Sequence, residues 1–287
     1  MNLFKLRIIY KKMKIIAITG GKGGTGKSTV ATALAYELSK KNKILLVDAD
    51  VDCPNDHLLL NIKRKQLKTV FQRIPKFDLD KCSKCAKCGS VCKTKAIISL
   101  KDLEPIFIPE QCNGCGSCQI ICPENAINWN NKKIGTIYTG KKDNLNLLSG
   151  ELKSNEPISE FIVNHLNEEI EKQKQKYDYI IIDTAAGAHC PVISAFEKAE
   201  QIIAVTEPTP LGSHDLEVIL SVLKKIKKKG SIIVNRFDIG DLNKVKEVSL
   251  KFNSKIILKI PYSKKIEDSY SKGEPIILPN IILVVNK

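Results

Sequence analysis

The sequence predicts an α/β protein in which helices cover both faces of a mostly parallel sheet. Apolar runs typical of fully buried strands recur at residues 14–19, 44–48, 179–183, 202–206, 232–235 and 256–260. Apolar residues at helical spacing separate several of these runs, most clearly over 28–40, 158–175 and 214–228. Strands that alternate with helices in this way favour parallel pairing with right-handed crossovers.

The composition is typical of a globular protein. With 287 residues, 43% of them hydrophobic, the chain can bury one substantial core and a smaller module. No apolar run approaches the roughly 20 residues of a membrane span. Residues 1–12 lack the apolar region and cleavage site of a signal peptide. We therefore expect a cytoplasmic protein without stable membrane insertion, in which residues 1–13 form an extension and either Met1 or Met13 is the true start.

The formal net charge of +15 raises the question of a polyanionic partner. Nucleic-acid binding depends on clustered cations, and the lysines here are mostly scattered among isoleucines. Only the segment 224–229 concentrates them, at the end of a predicted helix. The charge pattern therefore favours a solvated surface over a nucleic-acid interface.

Eight of the ten cysteines form two matching C-x2-C-x2-C-x3-C runs, thirty positions apart. The first run is Cys82, Cys85, Cys88 and Cys92, and the second is Cys112, Cys115, Cys118 and Cys122. The alternation of strands and helices stops over 75–138, which predicts an inserted module. The remaining segments, 14–74 and 139–287, are predicted to form one discontinuous domain.

Three chemistries compete for these cysteines. Zinc sites usually combine a C-x2-C pair with a second, distant pair, and disulfides do not suit an intracellular protein. Three closely spaced thiolates with a distant fourth suit a 4Fe-4S cubane. The runs resemble those of bacterial two-cluster ferredoxins. That resemblance implies two 4Fe-4S clusters with exchanged fourth ligands, one held by Cys82, Cys85, Cys88 and Cys122, the other by Cys112, Cys115, Cys118 and Cys92.

A phosphate-binding loop, GGKGGTGKST over 20–29, follows the first buried strand and opens a helix. Its glycines let backbone N–H groups converge on phosphate oxygens, and the helix dipole adds positive potential. Lys27 is expected to reach the β- and γ-phosphates, and Ser28 to ligate Mg²⁺. The predicted nucleotide-binding residues of the loop are Gly21, Lys22, Gly23, Gly24, Thr25, Gly26, Lys27, Ser28 and Thr29.

An additional lysine early in this loop, Lys22, resembles the deviant Walker A motif of the MinD, Mrp and nitrogenase iron protein group. The resemblance covers nearly the whole chain outside the insertion. It implies an ATPase that binds Mg²⁺-ATP and forms a homodimer on ATP binding. In that group the early lysine contacts the phosphates of the partner subunit, so Lys22 is expected to act in trans.

Aspartates follow two of the predicted strands. The first group is the segment 48–52, DADVD. The resemblance implies that Asp50 orients or deprotonates the attacking water and that Asp48 supports the metal shell. Asp52 is expected to be a structural cap. Asp183 is expected to hold Mg²⁺ through water, as in a Walker B segment.

Two further residues complete the predicted nucleotide site by the same resemblance. Gly187 is expected near the γ-phosphate, although the group more often has prolines where Ala185 and Ala186 stand. Asn235 follows a later strand and is expected to hydrogen-bond adenine. Cys53 and Cys190 lie outside the two runs; they are expected to be small buried residues, with a bridging cluster at a dimer interface as the alternative.

These features predict an ATPase in which nucleotide-dependent dimerisation is coupled to electron transfer through two clusters, with an unidentified redox or iron-sulfur acceptor protein. A cluster-assembly carrier of the Mrp type is the alternative, although its usual C-terminal C-x2-C pair is absent. A MinD-like positioning protein is the third reading. The segment 275–285 lacks the polar face of a membrane-binding amphipathic helix, which disfavours it.

Overall fold

The computed structural model describes residues 13–286. The predicted extension 1–13 therefore lies, apart from Met13, outside the described residues. Within that range there are eleven strands: β1 Lys14–Thr19, β2 Ile44–Ala49, β3 Lys65–Phe77, β4 Ile97–Ile98, β5 Ile106–Phe107, β6 Ile127–Lys142, β7 Leu145–Leu152, β8 Tyr179–Thr184, β9 Gln201–Thr206, β10 Gly230–Asn235 and β11 Ile256–Ile260.

The described residues form nine α-helices, of which the three longest match the three predicted helical segments. They are α1 Lys27–Ser39, α2 Asp56–Leu59, α3 Lys87–Ser90, α4 Ser117–Ile121, α5 Glu160–Gln173, α6 Cys190–Phe196, α7 Pro210–Lys225, α8 Leu242–Lys251 and α9 Lys264–Lys272. Helix α7 begins four residues before the predicted start. Thr209 caps it by accepting a hydrogen bond from Gly212 N (3.0 Å), and proline is favourable at the first helical position.

Nine strands form one sheet in the order β11-β10-β9-β1-β8-β2-β7-β6-β3. The pairs from β11 to β7 are parallel, whereas β7–β6 and β6–β3 are antiparallel. The predicted mostly parallel α/β fold is thus confirmed. Because the carboxyl ends of parallel strands share one edge, the loops after β1, β2, β8 and β10 lie side by side there.

The strands alternate their side chains between two apolar layers. On one face Ile15 and Val47 pack with residues of α5, α6, α7 and α8. On the other, Ile16 and Leu46 pack with α1. Strands buried on both faces read as continuous apolar runs, which is why they were visible in the sequence.

The last described residues cover the second of these faces. Ile276, Leu278, Ile281, Val284 and Val285 are all buried in the layer that contains α1. Lys14 Nζ donates a hydrogen bond to the Val285 carbonyl (2.5 Å), which ties the segment to the first strand. No helix within residues 13–286 has the length and apolar character of a membrane span.

Strands β3 and β6 continue beyond the sheet as a two-stranded ribbon. The part of β6 from Gly135 onward also pairs with β7, whereas residues 127–133 pair only with 71–77 of β3. The sequence did not predict these strands, because polar residues interrupt their apolar pattern. The predicted module boundaries, 75 and 138, fall inside the two strands, and residues 78–126, here called the cysteine segment, lie at the end of the ribbon.

The cysteine segment repeats its backbone conformation as well as its sequence. Positive φ angles occur at Lys84, Ala86 and Lys95 in the first half, and thirty positions later at Gly114, Gly116 and Asn125. The short helices α3 and α4 also correspond. Between the two halves lies a small apolar core of Ile97, Cys118 and Ile127, which also contacts Phe77 and Phe107. The sequence repeat is therefore a structural repeat.

The docking of the C-terminal segment gives a stability prediction. Replacing the fully buried Ile281 by alanine should lower the free energy of unfolding by about 2–5 kcal/mol, because it leaves a cavity against the α1 layer. Its neighbour Ile282, 42% exposed, is the matched control and should cost less than about 1 kcal/mol. Denaturant unfolding measures both. Equal losses of stability in the Ile281 and Ile282 variants would contradict the burial of Ile281 against the α1 layer.

Candidate functional site

The phosphate-binding loop occupies the turn between β1 and α1. Gly24 and Gly26 have φ angles of +80° and +94°, a region that side chains disfavour. A Cβ at Gly26 would also lie 2.3 Å from Asn235 Nδ2. Asn235 Nδ2 itself donates to the Thr25 carbonyl (3.0 Å), so the strand β10 holds the loop in place.

Two lysines of the loop are in different environments. Lys27 is buried, and its Nζ donates to the Lys22 carbonyl (2.9 Å). Burial lowers the pKa of Lys27, while the carboxylates of Asp183 and Asp50 oppose that change. The side chain of Lys22 makes no hydrogen bond or ion pair within the described residues.

Three buried carboxyl groups lie beneath the loop and are here called the carboxylate cluster: Asp48, Asp56 and Asp183. Asp48 Oδ2 accepts one hydrogen bond, from Asp56 N (3.2 Å). The other five carboxyl oxygens have no hydrogen-bond partner of normal geometry among the described residues. Burial raises the pKa of Asp183 to about 7, and it raises the pKa of Asp48 and Asp56 well above the usual range.

The carboxylate cluster suits a hard cation whose other ligands are water and phosphate, because no three His, Cys, Asp or Glu side chains within residues 13–286 are arranged to hold a metal ion by themselves. Unpaired carboxyl oxygens are ligands that Mg²⁺ prefers, either directly or through water. Ser28, the predicted Mg²⁺ ligand, lies beside Asp183 and opposes the rise of its pKa. Asp56 was not predicted from the sequence. It lies on the one-turn helix α2, which returns it to Asp48, eight positions earlier in the chain.

The segments that follow β2 and β8 border the cleft through Asp50 and Ala186. Asp50 lines the cleft; burial raises its pKa, and the Lys27 ammonium opposes the rise. Asp52 is exposed. Gly187 adopts a φ of +98° and its N–H donates to the Gly20 carbonyl (3.1 Å). The loop after β8 is thereby tied to the phosphate-binding loop.

The cleft continues from the loop towards α9 and encloses about 1090 Å³ of empty space, including its open mouth. Its far wall consists of residues that the sequence reading missed: Pro261, Tyr262, Ser263, Ile266, Glu267 and Tyr270. Asn235 and Arg236 lie between this wall and the loop, and Arg236 forms an ion pair with the buried Glu207 (2.9 Å). A phosphate-binding end and an apolar end suit a nucleotide.

Comparison with known proteins agrees with this geometry. The sequence model of the CobQ/CobB/MinD/ParA nucleotide binding domain matches residues 16–276. The chain belongs to this family. An uncharacterized protein of Methanocaldococcus jannaschii is 36% identical over 270 residues, covering 92% of this chain and 91% of the relative. The septum site-determining protein MinD of Synechocystis sp. is 24% identical over 272 residues, covering 92% and 82%.

Solved structures support the same fold. The septum site-determining protein MinD of Pyrococcus horikoshii, complexed with Mg-ADP, superposes with a TM-score of 0.57 at 22% identity, covering 92% of this chain and 88% of that chain. MinD in the MinC:MinD complex of Aquifex aeolicus gives a TM-score of 0.54 at 22% identity, covering 92% and 87%. The chain therefore has the α/β P-loop fold of these proteins.

The cysteine segment contains two cavities. The first cavity is lined by Cys82, Cys85, Cys88 and Cys122, and encloses about 400 Å³ of empty space including its mouth. The second cavity is lined by Cys92, Cys112, Cys115 and Cys118, and encloses about 320 Å³. Each cavity thus receives three cysteines from one run and the fourth from the other run.

Backbone N–H groups point at several of these sulfur atoms. Gly114 N donates to Cys112 Sγ (3.4 Å), and Ala126 N donates to Cys122 Sγ (3.3 Å). In each half, one thiol pKa is lowered by a hydrogen bond from the residue two positions later in the chain. The backbone of Lys87 lowers the pKa of Cys85, and the hydroxyl of Ser117 lowers the pKa of Cys115. Burial raises the pKa of Cys118 to about 11. Ligation therefore requires that buried thiols lose their protons.

The two cysteines outside these cavities were predicted to be buried, and this was wrong. Cys53 and Cys190 are both exposed. Cys53 follows the turn after β2, and Cys190 is the first residue of α6, so neither side chain reaches an apolar layer. All ten cysteines, which all lie in the described part of the chain, are free thiols.

The burial of Asp183 predicts opposite effects on stability and function. The pKa of Asp183 in the folded protein is about 7, above its ordinary value. Ionisation of this carboxyl group therefore opposes folding more and more as the pH rises from about 4 to 7. Asp183→Asn should raise the free energy of unfolding by about 1–3 kcal/mol at pH 8, and less at pH 4, while Mg²⁺-dependent hydrolysis falls.

Denaturant unfolding at both pH values, with ATPase assays, measures these effects. Asp143→Asn, at an exposed position in the turn between β6 and β7, is the control and should change neither quantity. A gain in stability that did not depend on pH would contradict the assignment to the buried carboxylate.

Proposed function

We propose that this ATPase holds a 4Fe-4S cluster in each of the two cysteine-lined cavities and couples nucleotide-dependent dimerisation to electron transfer through them. Residues 75–138 act as the cluster-binding module, and residues 14–74 and 139–287 as the ATPase domain. The acceptor is a redox protein. The observation that carries the proposal is the composition of the two cavities.

The composition of each cavity favours a cubane over other groups. Four soft thiolates per cavity are the ligand set of a 4Fe-4S cluster. Positive φ angles at alternate positions, Lys84 and Ala86 in one half and Gly114 and Gly116 in the other, are typical of turns whose N–H groups converge on an anion. Among residues 13–286, no three His, Cys, Asp or Glu side chains are arranged to hold a single metal ion. In a cubane the irons and sulfides stand between the thiolates, which are therefore farther apart than around one ion.

The nucleotide part of the proposal rests on the cleft. Lys27, Ser28 and Asp183 would hold Mg²⁺-ATP, Asp50 would position the attacking water, and Asn235 and Gly187 would contact the adenine and γ-phosphate ends. MinD from Pyrococcus horikoshii was solved with Mg-ADP, which supports the same type of ligand here. The Lys22 side chain of the loop, which has no hydrogen bond or ion pair within residues 13–286, suits a contact with the nucleotide of a second subunit.

Iron analysis tests the cluster proposal. Protein purified without oxygen should contain about eight irons and eight sulfides per chain and show cluster EPR signals after reduction. Replacing Cys82 and Cys85 by serine should remove about half of the iron. Replacing Cys53 and Cys190, which lie outside both cavities, should remove none.

Other outcomes would contradict the cluster proposal. Zinc in place of iron, or disulfides between the cavity cysteines, would do so. Quantitative transfer of iron to an apo-acceptor, without electron transfer, would instead support the Mrp-type carrier.

The role of Lys22 is tested by dimerisation. Lys22→Ala should abolish dimer formation with Mg²⁺-ATP, as measured by light scattering, because it removes the cation expected to reach the partner's phosphates. Iron content should not change. Lys41→Ala, at the exposed end of α1, is the control and should dimerise normally. Dimerisation of the Lys22 variant at the wild-type ATP concentration would rule out the trans contact.

A further inference from the structure

The structure connects the cleft and the second cavity through consecutive contacts. The first of these contacts involves Val51, the residue after Asp50 of the cleft. Leu152 N, at the end of β7, donates to the Val51 carbonyl (2.8 Å). The next residue, Lys153, donates through its N–H to the Ile134 carbonyl of β6 (2.8 Å). The loop after β7 is therefore fixed both to the segment after β2 and to the base of the ribbon.

A partly buried ion pair continues this connection. Glu156, in the loop after β7, pairs with Lys132 of β6 at 2.8 Å. The two side chains are only 6% and 14% exposed. Because both side chains are partly buried, each has few other partners available, which favours this one paired geometry. Movement of the loop after β7 therefore carries Lys132 with it.

Lys132 in turn contacts the turn that leads into the second cavity. Its Nζ donates to the Pro109 carbonyl (3.2 Å), and Cys112 N donates to that same carbonyl (3.3 Å). On the facing strand, Gln72 pairs in register with Lys132, and its Nε2 donates to the Cys112 carbonyl (2.8 Å). Lys132 and Gln72 together hold residues 109–112 against the ribbon.

The charge of Lys132 also acts on the sulfur atoms of this cavity. Burial raises the pKa of Cys112, the neighbouring Cys92 and Cys115 add to that rise, and Lys132 opposes it. A positive charge near a cluster favours the added electron of the reduced state. A shift of Lys132 therefore changes both the position and the electrostatic potential of a thiolate ligand.

We infer that Lys132 and Glu156 are positioning residues that couple the segment after β2 in the nucleotide cleft to the Cys112 side of the second cavity. This inference rests on the proposed function of the two sites, whose regulation it describes. When Mg²⁺-ATP fixes Asp50 and Val51, the ion pair transmits that constraint to residues 109–112. The second cavity, adjoining Pro75 of β3, is the one that responds to nucleotide, and the first cavity, farther along the ribbon beside Phe77, responds less.

Hydrogen–deuterium exchange of the full chain tests the coupling without depending on iron. In the wild type, a nonhydrolysable Mg²⁺-ATP analogue should slow exchange several-fold both in the phosphate-binding loop and at residues 109–113. In Lys132→Met and Glu156→Gln the loop should still be protected, but residues 109–113 should lose that response. Glu156→Gln preserves side-chain shape and carries the test if Lys132→Met does not fold.

Lys133→Met is the matched control. Lys133 neighbours Lys132 on the same strand but is exposed, and adjacent strand residues face opposite sides. This variant should behave as the wild type. Absence of any response at 109–113 in wild-type protein with a protected loop would overturn the inference, and so would a full response in the Lys132 and Glu156 variants.

The iron-loaded protein gives a second readout. Lys132→Met should lower the reduction potential of the cluster in the second cavity, because a nearby positive charge is lost. The variant should also abolish the shift in that potential on addition of the Mg²⁺-ATP analogue. Lys133→Met should retain the shift. A protein that binds no iron but shows the exchange response would refute the proposed function and leave the coupling intact. Iron-loaded, hydrolysing protein without the exchange response would refute the coupling alone.

Discussion

Each half of the cysteine segment contributes one side chain to the cavity of the other half: Cys122 lines the first cavity and Cys92 the second. This exchange is the constraint on which the account depends, because neither run can complete its own set of four thiols. The apolar core of the segment is small, centred on Ile97, Cys118 and Ile127. Such a small core offsets little of the conformational entropy that the segment loses on folding. Ligation of the clusters by the exchanged cysteines would therefore hold the two halves together.

The ribbon of β3 and β6 joins the cysteine segment to the nine-stranded sheet. Its base is paired with β7, whose carboxyl end lies beside the segment after β2, and its far end carries the two cavities. Beneath the phosphate-binding loop lie three buried carboxyl groups with few partners among the described residues, a costly arrangement that a purely structural core would not require. The energetic cost is concentrated at the edge where Mg²⁺ and phosphate are expected.

The sequence predicted the features whose signals are local. The buried strands, the loop 20–29 and the two cysteine runs each have a short pattern with a direct physical meaning, and the six predicted strands are all present. Features that depend on tertiary contacts were missed. Asp56 joins the carboxylate cluster only because α2 returns it to Asp48. Tyr262 and Tyr270 line the cleft only because the segment after β11 returns to the loop after β10, where Tyr262 N donates to Asp238 Oδ1 (2.8 Å). The ribbon has polar side chains on strands open to solvent, so it has no apolar period to detect.

The most direct test of the account is an iron anomalous difference map from crystals grown without oxygen. Two separate iron sites are predicted, one surrounded by Cys82, Cys85, Cys88 and Cys122, and the other by Cys92, Cys112, Cys115 and Cys118. A site that recruited all four cysteines of a single run, or cavities that contained no iron in protein with intact cysteines, would contradict it.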